Sequence, residues 1–498
     1  MNGQVLTIHN GQAVERAACP IVPLEQFREA ILIAVEADSR LSALLACPAR
    51  QGGGMELLAV LARPASGDLG LLSCRVGESY PSLTGDCPAA NLFEREIAEQ
   101  WHIEPTGHPW LKPVRFQPPV RGGAAAPIGI MDFFCMEGSE VHEVAVGPVH
   151  AGVIEPGHFR FQCCGETVHH LEISLGYQHR GVERAMVGGP TPRSIHYAET
   201  LAGDTTIGHT AAYCRAVEAL AAARVPARAE AIRAIAAELE RVANHVGDLG
   251  AMAGDVGFLP TMNYCGRIRG DVLNLTAMLC GNRFGRGLLT PGGVGYDVDE
   301  AIRDEMLRRL DAVERDASGA VDLMFAAPSV QARFENTGTV SEELAREIGL
   351  VGVAARASGI PCDVRQEFPY GMYAFATMSV CTWTNGDCFA RAYVRWLEVL
   401  QSIAFVREQL RYLPGGPTRN DAAALRPGML AVTLTEAWRG EICHVAQTDQ
   451  AGRFAFYKVV DPSFHNWLGL AMALREQQIS DFPLCNKSFN LSYCGHDL

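Results

Sequence analysis

The stretch that decides the fold is Pro226–Met252, PARAEAIRAIAAELERVANHVGDLGAM. Its apolar residues recur three and four positions apart, which places them on one face of an α-helix. Four further segments share this spacing, and they are Ala198–Val225, Asp271–Leu279, Asp299–Leu323 and Phe389–Leu413. A helical bundle buries many amphipathic faces at once. The sequence therefore predicts a large, mainly helical-bundle domain.

The bundle is flanked by strand-like segments and preceded by a region of different character. Thr167–Leu175 and residues 452–460 are strand-like, whereas residues 1–115 alternate apolar runs at 57–61 and 69–73 with a helix-like stretch at 24–35. The segment PVRFQPPVRGGAAAP at 113–127 breaks all periodicity, because proline fixes φ and glycine loosens the backbone. We predict an α+β fold: a small N-terminal α/β domain at 1–115, a linker at 116–146, and the bundle domain with peripheral β-strands at 147–498.

The composition argues against a nucleic-acid-binding protein and against a membrane-spanning one. The 498 residues carry a net charge of −14, from 42 Lys and Arg against 56 Asp and Glu, which argues against nucleic acid as a partner. No run of about 18 uncharged apolar residues predicts a membrane-spanning helix, and the N-terminus resembles no export signal. We therefore expect a cytoplasmic protein.

Cysteine spacing and nucleotide motifs give no sign of a resident cofactor. Sixteen cysteines are present, yet none are arranged as C-x-x-C, so we expect most of them to be buried small hydrophobic residues. Neither G-x-G-x-x-G after a strand nor G-x-x-x-x-G-K-S/T occurs. The sequence therefore gives no sign of a nicotinamide site in this chain.

A collinear series of motifs covers nearly the whole chain. The first group is Tyr80-Pro-Ser-Leu-Thr-Gly, Leu92-Phe-Glu-Arg-Glu-Ile and Gly107-His-Pro-Trp-Leu. The second is Gly147-Pro-Val-His, Glu155-Pro-Gly-His-Phe-Arg, Gly176-Tyr-Gln-His-Arg-Gly-Val-Glu, Glu240-Arg-Val-Ala-Asn-His, Gly292-Gly-Val-Gly-Tyr-Asp, Ala355-Arg-Ala-Ser-Gly and Glu436-Ala-Trp-Arg-Gly-Glu. The first group resembles the C subunit of bacterial complex I. The second resembles the complex I D subunit and the large subunits of group 4 [NiFe]-hydrogenases, of the hydrogenase-4 and formate-hydrogenlyase type.

This resemblance implies a cytoplasmic-side subunit of a membrane-attached oxidoreductase complex related to NADH:quinone oxidoreductase. The implied partners are a small Fe–S subunit, which carries the Fe–S clusters and delivers electrons, and antiporter-like and anchor membrane subunits. The resemblance also implies that NAD(H) acts only through other subunits. The chain would lie on the inner face of the cell membrane and take part in electron transfer coupled to proton movement.

The same resemblance identifies the positions of the nickel–iron ligands. In the family, four cysteine thiolates hold the metal, two before the helix H-x-x-A-Y-x-x-A-V-E and two near the end of the chain. The helix motif begins at His209 here, which puts Ala202 and Thr205 at the first pair of positions and Ser492 and Gly495 at the second. Thiolate is a soft donor that these residues do not replace. We therefore expect no metal in this chain.

Complex I binds quinone in the corresponding cavity, through a tyrosine and a histidine. The tyrosine position is Gly203 here, and the histidine aligns with either His158 or His150. Glycine has no hydroxyl for a quinone carbonyl, so quinone remains an option only with different donors.

Five residues on the cavity-lining segments are candidates for proton transfer or for lining the cavity: Glu155, Glu183, His209, Arg439 and Asp497. Buried carboxylates and histidines could pass protons, because burial moves their pKa values toward neutrality. The alternative is structural, with ion pairs and helix capping as their only roles. Likewise, a non-catalytic scaffold that holds the partners together is an alternative to the electron-transfer subunit. A hydrogenase with unusual ligands is a third hypothesis.

Overall fold

The computed structural model describes residues 5–50, 53–150, 154–421 and 423–498. The α-helices are α1 Leu24–Glu36, α2 Asn91–Trp101, α3 Val182–Met186, α4 Ser194–Glu199, α5 Thr206–Ala221, α6 Ala227–Asp255, α7 Leu259–Cys280, α8 Glu300–Phe325, α9 Pro328–Phe334, α10 Glu342–Glu347, α11 Gly352–Ala357, α12 Val364–Glu367, α13 Cys388–Arg411, α14 Pro462–Ala473, α15 Phe482–Phe489 and α16 Tyr493–Asp497. The strands are β1 Leu6–Ile8, β2 Ala13–Glu15, β3 Ile21–Val22, β4 Arg40–Pro48, β5 Met55–Arg63, β6 Asp68–Val76, β7 Ser79–Pro81, β8 Glu104–Thr106, β9 Val141–Val146, β10 His158–Cys164, β11 Thr167–Ser174, β12 Leu289–Thr290, β13 Gly293–Val294, β14 Met429–Ala437, β15 Gly440–Thr448 and β16 Phe454–Val460.

The N-terminal region forms a five-stranded sheet covered by helices. Its strand order is β1-β6-β5-β4, with β3 added in parallel to β6. The two predicted apolar runs lie inside β5 and β6, and the predicted helix is α1, which buries Phe27 and Ile31 four positions apart. The mixed α+β character predicted from the sequence is confirmed.

A second sheet joins the two ends of the chain. Its antiparallel order is β16-β15-β14-β2, so a strand from the first fifteen residues pairs with β14. Strands β14 and β15 are buried along nearly their whole length. A third sheet has the order β11-β10-β9, and β11 contains the predicted strand Thr167–Leu175 up to Ser174.

The bundle is built from α6, α7, α8 and α13. The predicted helix Pro226–Met252 is α6, and those at 299–323 and 389–413 are α8 and α13. One prediction was wrong: the stretch Ala198–Val225 is two helices, α4 and α5, separated at residues 200–205. The break contains Gly203, which disfavours helix, and beyond it α5 packs against β14.

The two regions share their hydrophobic packing. The N-terminal core, made by β4, β5, β6, α1 and α2, also contains Leu430, Val432 and Leu434 of β14. The other face of β14 packs on α5, where Thr433 and Thr435 donate hydrogen bonds to the Ala212 and Gly208 carbonyls. The predicted linker includes β9, and residues 117–140 contain neither helix nor strand. The boundaries at 115 and 146 stay predictions.

Within the described ranges, none of the helices is both apolar enough and long enough to span a bilayer.

Candidate functional site

The candidate site, which we call the α5 site, lies where the start of α5 meets α14, α16 and the turn between β14 and β15. Thr205 precedes α5, and Ser492 caps α16 by accepting the backbone N–H of Gly495 at 2.9 Å. The Arg180 guanidinium donates hydrogen bonds to the Leu201 carbonyl at 3.0 Å and to the Cys494 carbonyl at 3.4 Å, which ties the two segments together. The structure therefore brings together the two pairs of positions that the sequence analysis predicts as ligand positions.

Four buried polar side chains form a hydrogen-bonded series that begins at the α5 site, and we call this series the buried chain. His209 Nε2 lies 2.8 Å from Asp461 Oδ2, and His209 Nδ1 lies 3.2 Å from His444 Nε2. The other ring nitrogen of His444, Nδ1, lies 2.9 Å from the Tyr457 hydroxyl. All four residues are at most 2% exposed. The site thus contains an unbroken series of hydrogen-bonding groups, Asp461–His209–His444–Tyr457.

Burial and neighbouring charges set the protonation preferences within this chain. Burial acts to raise the pKa of Asp461, but the hydrogen bond and charge of His209, together with Arg439, bring it below the usual range. Burial lowers the pKa of His444 far below its ordinary value, and His209 lowers it further. Burial also raises the pKa of Tyr457 well above 10. The structure therefore favours an ionised Asp461 and a neutral His444 on the two sides of His209.

The residues present do not fit a nickel–iron centre. The four ligand positions hold Ala202, Thr205, Ser492 and Gly495, none of which has a sulfur atom. A β-carbon built on Gly495 would stand 2.7 Å from Asp461 Cγ, so the Asp461 carboxylate fills the space that a longer side chain would need. Across the described part of the chain, no three His, Cys, Asp or Glu side chains are arranged to hold a metal ion.

Arg439, a predicted site residue, lies at this site and is fully engaged. Its two terminal nitrogens donate to the two Asp204 carboxylate oxygens at 2.6 and 2.7 Å, and its Nε donates to the Asn490 carbonyl at 2.5 Å. The guanidinium also stacks 3.8 Å above the Trp438 ring. Burial acts to raise the pKa of Asp204, but Arg439 lowers it by more. This bidentate pair fixes the loop before α5.

Glu155 also lies at the site, whereas the two quinone candidates flank it. The Glu155 carboxylate accepts backbone N–H bonds from Tyr493 at 3.1 Å and Cys494 at 3.4 Å, at the first turn of α16. His158 contacts the Gly147 carbonyl and the Arg160 guanidinium through its two ring nitrogens. His150 Nε2 is buried and has no hydrogen-bond partner among the described residues. Of the two histidines, His150 is the one with a free nitrogen for a ligand.

The surroundings of Gly203 offer room for a side chain but no donor group for a quinone carbonyl. A side chain at this position would meet no atom within 4 Å, so there is space but no donor group. A quinone there would need its donors from elsewhere, and binding of quinone stays a prediction.

Glu183 and Asp497 lie away from the buried chain and make structural contacts. Glu183 accepts hydrogen bonds from Lys458 Nζ at 2.9 Å and from the Val459 N–H at 3.0 Å, next to a buried Arg115–Glu96 ion pair. Asp497 accepts the backbone N–H groups of residues 176 and 178 at 2.8 and 2.9 Å. These contacts support the structural alternative for both residues.

Sequence reasoning missed Asp461, His444, Tyr457 and Glu240. Glu240 accepts the N–H groups of Ile207 and Gly208 at the start of α5, at 2.7 and 3.1 Å, and burial raises its pKa to about 8. The available signal was its place at the start of the motif Glu240-Arg-Val-Ala-Asn-His in α6. Asp461 carried no comparable signal, because its contact with His209 joins residues 252 positions apart.

A larger buried charge network, also missed, supports α6 from the other side. Glu398 accepts hydrogen bonds from Arg356 at 2.8 Å, from His245 at 2.9 Å and from Arg241 at 3.3 Å. Burial lowers the pKa of His245 to about 4, so the imidazole is neutral near pH 7. Polar residues at helical spacing on a buried face were the available signal.

The amino-acid sequence of this chain is similar to those of respiratory-chain dehydrogenase subunits and of hydrogenases. A family model described as "Respiratory-chain NADH dehydrogenase, 49 Kd subunit" matches residues 255–430. The carbon monoxide-induced hydrogenase of Rhodospirillum rubrum is 32% identical over 350 residues, which are 70% of this chain and 97% of the relative. NADH-quinone oxidoreductase subunit 4 of Thermus thermophilus is 30% identical over 69% of this chain and 90% of its own. Formate hydrogenlyase subunit 5 of Escherichia coli is 29% identical over 84% of this chain and 77% of its own.

Proposed function

Because the chain belongs to the family of complex I 49 kDa-type subunits and group 4 hydrogenase large subunits, we propose that it is the large subunit of a membrane-attached, complex I-like oxidoreductase without a nickel–iron centre of its own. It takes part in electron transfer coupled to proton movement on the cytoplasmic side of the membrane. Its partners are a small Fe–S subunit, which supplies the electrons, and antiporter-like and anchor membrane subunits.

One observation supports the proposal: a buried acid–base pair lies beside a position at which the resemblance implies a cysteine ligand. Asp461 stands against Gly495 and binds His209. His209 Nε2 faces the Asp461 carboxylate, and His209 Nδ1 faces His444, whose low pKa keeps that imidazole neutral. Asp461 and His209 are at most 1% exposed, so this pair responds to negative charge that arrives on a neighbouring subunit, because the low dielectric leaves the field weakly screened.

The scaffold is the second hypothesis, and specific contacts favour it. Glu183 and Asp497, two of the five predicted proton-transfer residues, bind backbone N–H groups and a lysine, as structural residues do. In a scaffold, His209 and Asp461 would serve only to hold α5 against α14.

Affinity purification of the tagged full-length chain from solubilised membranes tests the assignment. We expect an Fe–S subunit and at least one antiporter-like membrane subunit to co-purify. Recovery of neither kind of partner would contradict the proposal.

Redox titration of the purified complex separates the proposal from the scaffold. The midpoint potential of the partner's nearest Fe–S cluster, followed by electron paramagnetic resonance, should depend on pH in the unmodified complex and lose much of this dependence in Asp461→Asn. Asp299→Asn is the matched control, because Asp299 also caps a helix, α8, but lies outside the site. Equal pH dependence in all three complexes would support the scaffold.

A further inference from the structure

Donors and acceptors within the buried chain can be assigned from its two ends, beginning at Tyr457. This side chain is 2% exposed, and its hydroxyl contacts a single hydrogen-bond partner among the described residues, His444 Nδ1 at 2.9 Å. A buried O–H group without an acceptor costs free energy. The Tyr457 hydroxyl therefore donates its hydrogen to His444 Nδ1.

The opposite end of the buried chain requires a donor on His209. The ionised Asp461 carboxylate can only accept hydrogen bonds, and its Oδ2 lies 2.8 Å from His209 Nε2. Its Oδ1 accepts the Ser463 N–H at 2.7 Å. His209 Nε2 therefore carries a hydrogen, which it donates to Asp461.

The contact between the two imidazoles completes the assignment. Burial keeps the pKa of His444 far below its ordinary value, so this ring is neutral and has one hydrogen. Because His444 Nδ1 accepts from Tyr457, that hydrogen is on Nε2, which donates it to His209 Nδ1 at 3.2 Å. Every hydrogen in the buried chain then has an acceptor, and His209 holds a single hydrogen, on Nε2.

A second proton on His209 disturbs this arrangement. It would occupy Nδ1 and donate to His444 Nε2, so the single His444 hydrogen would have to be on Nδ1 and point at the Tyr457 oxygen. The Tyr457 O–H would then have no acceptor among the described residues. Buried polar groups are almost always paired, so the hydroxyl of Tyr457 makes a second proton on His209 unfavourable.

We propose that Tyr457 is a positioning residue that acts through His444: it keeps the His209 hydrogen on Nε2, beside Asp461, and opposes the uptake of a second proton by His209. This inference rests on the proposed function, in which His209 and Asp461 respond to charge on a neighbouring subunit. Tyr457 sets the pH range over which that response occurs.

Other titratable groups face the buried chain from α5, α6, β15 and the loops around the site, and they are Asp204, Tyr213, Cys214, Glu240, Arg439 and Cys443. Asp204 and Arg439 pair with each other at 2.6 Å. Burial raises the pKa of Glu240 to about 8. All six groups are unchanged in the variants compared below, so a difference between those variants reports on Tyr457.

Nuclear magnetic resonance of the full-length chain, labelled with nitrogen-15 histidine, tests the assigned hydrogen positions. Long-range proton–nitrogen correlations distinguish a ring nitrogen that carries a hydrogen from one that does not. The signals of the two rings are identified by their loss in His209→Gln and in His444→Gln. Near neutral pH we expect a hydrogen on Nε2 of both rings, and a hydrogen on Nδ1 of either ring would overturn the proposal.

Titration of the same signals with pH tests the role of Tyr457. Tyr457→Phe keeps the ring and removes the hydroxyl, so His209 should take up its second proton at an about three- to tenfold lower proton concentration than in the unmodified chain. Tyr373→Phe is the matched control, because Tyr373 is also buried and its hydroxyl donates to Glu238 at 2.7 Å, outside the α5 site. Equal proton uptake in Tyr457→Phe and the unmodified chain, at every pH at which both are folded, would overturn the proposal.

The same variants in the purified complex separate this inference from the proposed function. Tyr457→Phe should move to higher pH the range over which the midpoint potential of the partner's Fe–S cluster changes, and Tyr373→Phe should leave it in place. A potential that is independent of pH in the unmodified complex would contradict the proposed function, whereas the nitrogen-15 signals of the chain alone decide the hydrogen positions.

Discussion

At the scale of single residues, Asp461 connects the chemistry of the site to its architecture. Its Oδ2 holds His209 while its Oδ1 accepts the Ser463 N–H at 2.7 Å and caps α14. Removal of the carboxylate therefore leaves the buried His209 imidazole without its acidic partner and the start of α14 without its N-cap.

We predict that Asp461→Ala lowers the free energy of unfolding by about 3–5 kcal/mol, because it breaks a buried pair. Asp461→Asn keeps an acceptor for the cap and should cost about 1–3 kcal/mol. Asp299→Ala, which removes only an N-cap, should cost about 1 kcal/mol. Urea denaturation of the three variants measures these differences. Equal losses for Asp461→Ala and Asp299→Ala would show that His209 does not depend on Asp461.

Glu240 makes the stability of the fold depend on pH. Burial raises its pKa to about 8, whereas the value in an unfolded chain is about 4.3. Between pH about 4.3 and about 8, Glu240 is therefore protonated in the folded chain and ionised in the unfolded chain. The stability that the protonated Glu240 contributes is complete below pH about 4.3 and is lost as the pH rises through about 8.

Glu240→Gln should accordingly flatten the decline in stability between pH about 5 and 8. The measurement is the melting temperature across this range, with Glu300→Gln, an exposed glutamate at the start of α8, as the control. Parallel curves for Glu240→Gln and the unmodified chain would contradict a raised pKa.

At the scale of elements, α6 and α13 are joined by charge as well as by apolar packing. Glu398 of α13 is 1% exposed and binds Arg241 and His245 of α6 together with Arg356. A neutral amide in its place leaves two buried guanidinium groups short of negative charge.

Glu398→Gln should therefore lower the free energy of unfolding by about 3–5 kcal/mol. Glu314→Gln disrupts a solvent-exposed pair with Arg407 and should change it by less than about 1 kcal/mol. Chemical denaturation compares the two, and similar values would mean that the network contributes no more than a surface pair.

The helices of the bundle could be predicted because their apolar residues recur at helical spacing, and the start of α6 at Ala227 lies one residue from the predicted Pro226. Strands β14 and β15 could not, because both of their faces are buried and the polar alternation that marks a strand is absent. At the site, the sequence pointed to His209 and Arg439. Their partners lie 252 and 235 positions away, and only the folded chain brings them together.

At the scale of the whole molecule, the N-terminal region depends on the rest of the chain. Its core contains Leu430, Val432 and Leu434 of β14. Its own strand β2 pairs with β14 and so belongs to the second sheet. The predicted domain 1–115 therefore lacks part of its hydrophobic core when it is isolated.

We expect residues 1–115 expressed alone to unfold without cooperativity and to bind 1-anilinonaphthalene-8-sulfonate, because apolar surface is exposed. Co-expression with residues 116–498 should restore a stable complex of the two fragments. Circular dichroism and co-purification report on the two outcomes. A cooperative unfolding transition of the isolated fragment would contradict this dependence.

The central claim is that this member of the family works without a nickel–iron centre of its own. Its most direct test is the nickel and iron content of the tagged chain, purified anaerobically with the subunits that accompany it. We predict no stoichiometric nickel, with iron and labile sulfide carried by a partner subunit. One nickel per chain would contradict the account and restore the hypothesis of a hydrogenase with unusual ligands.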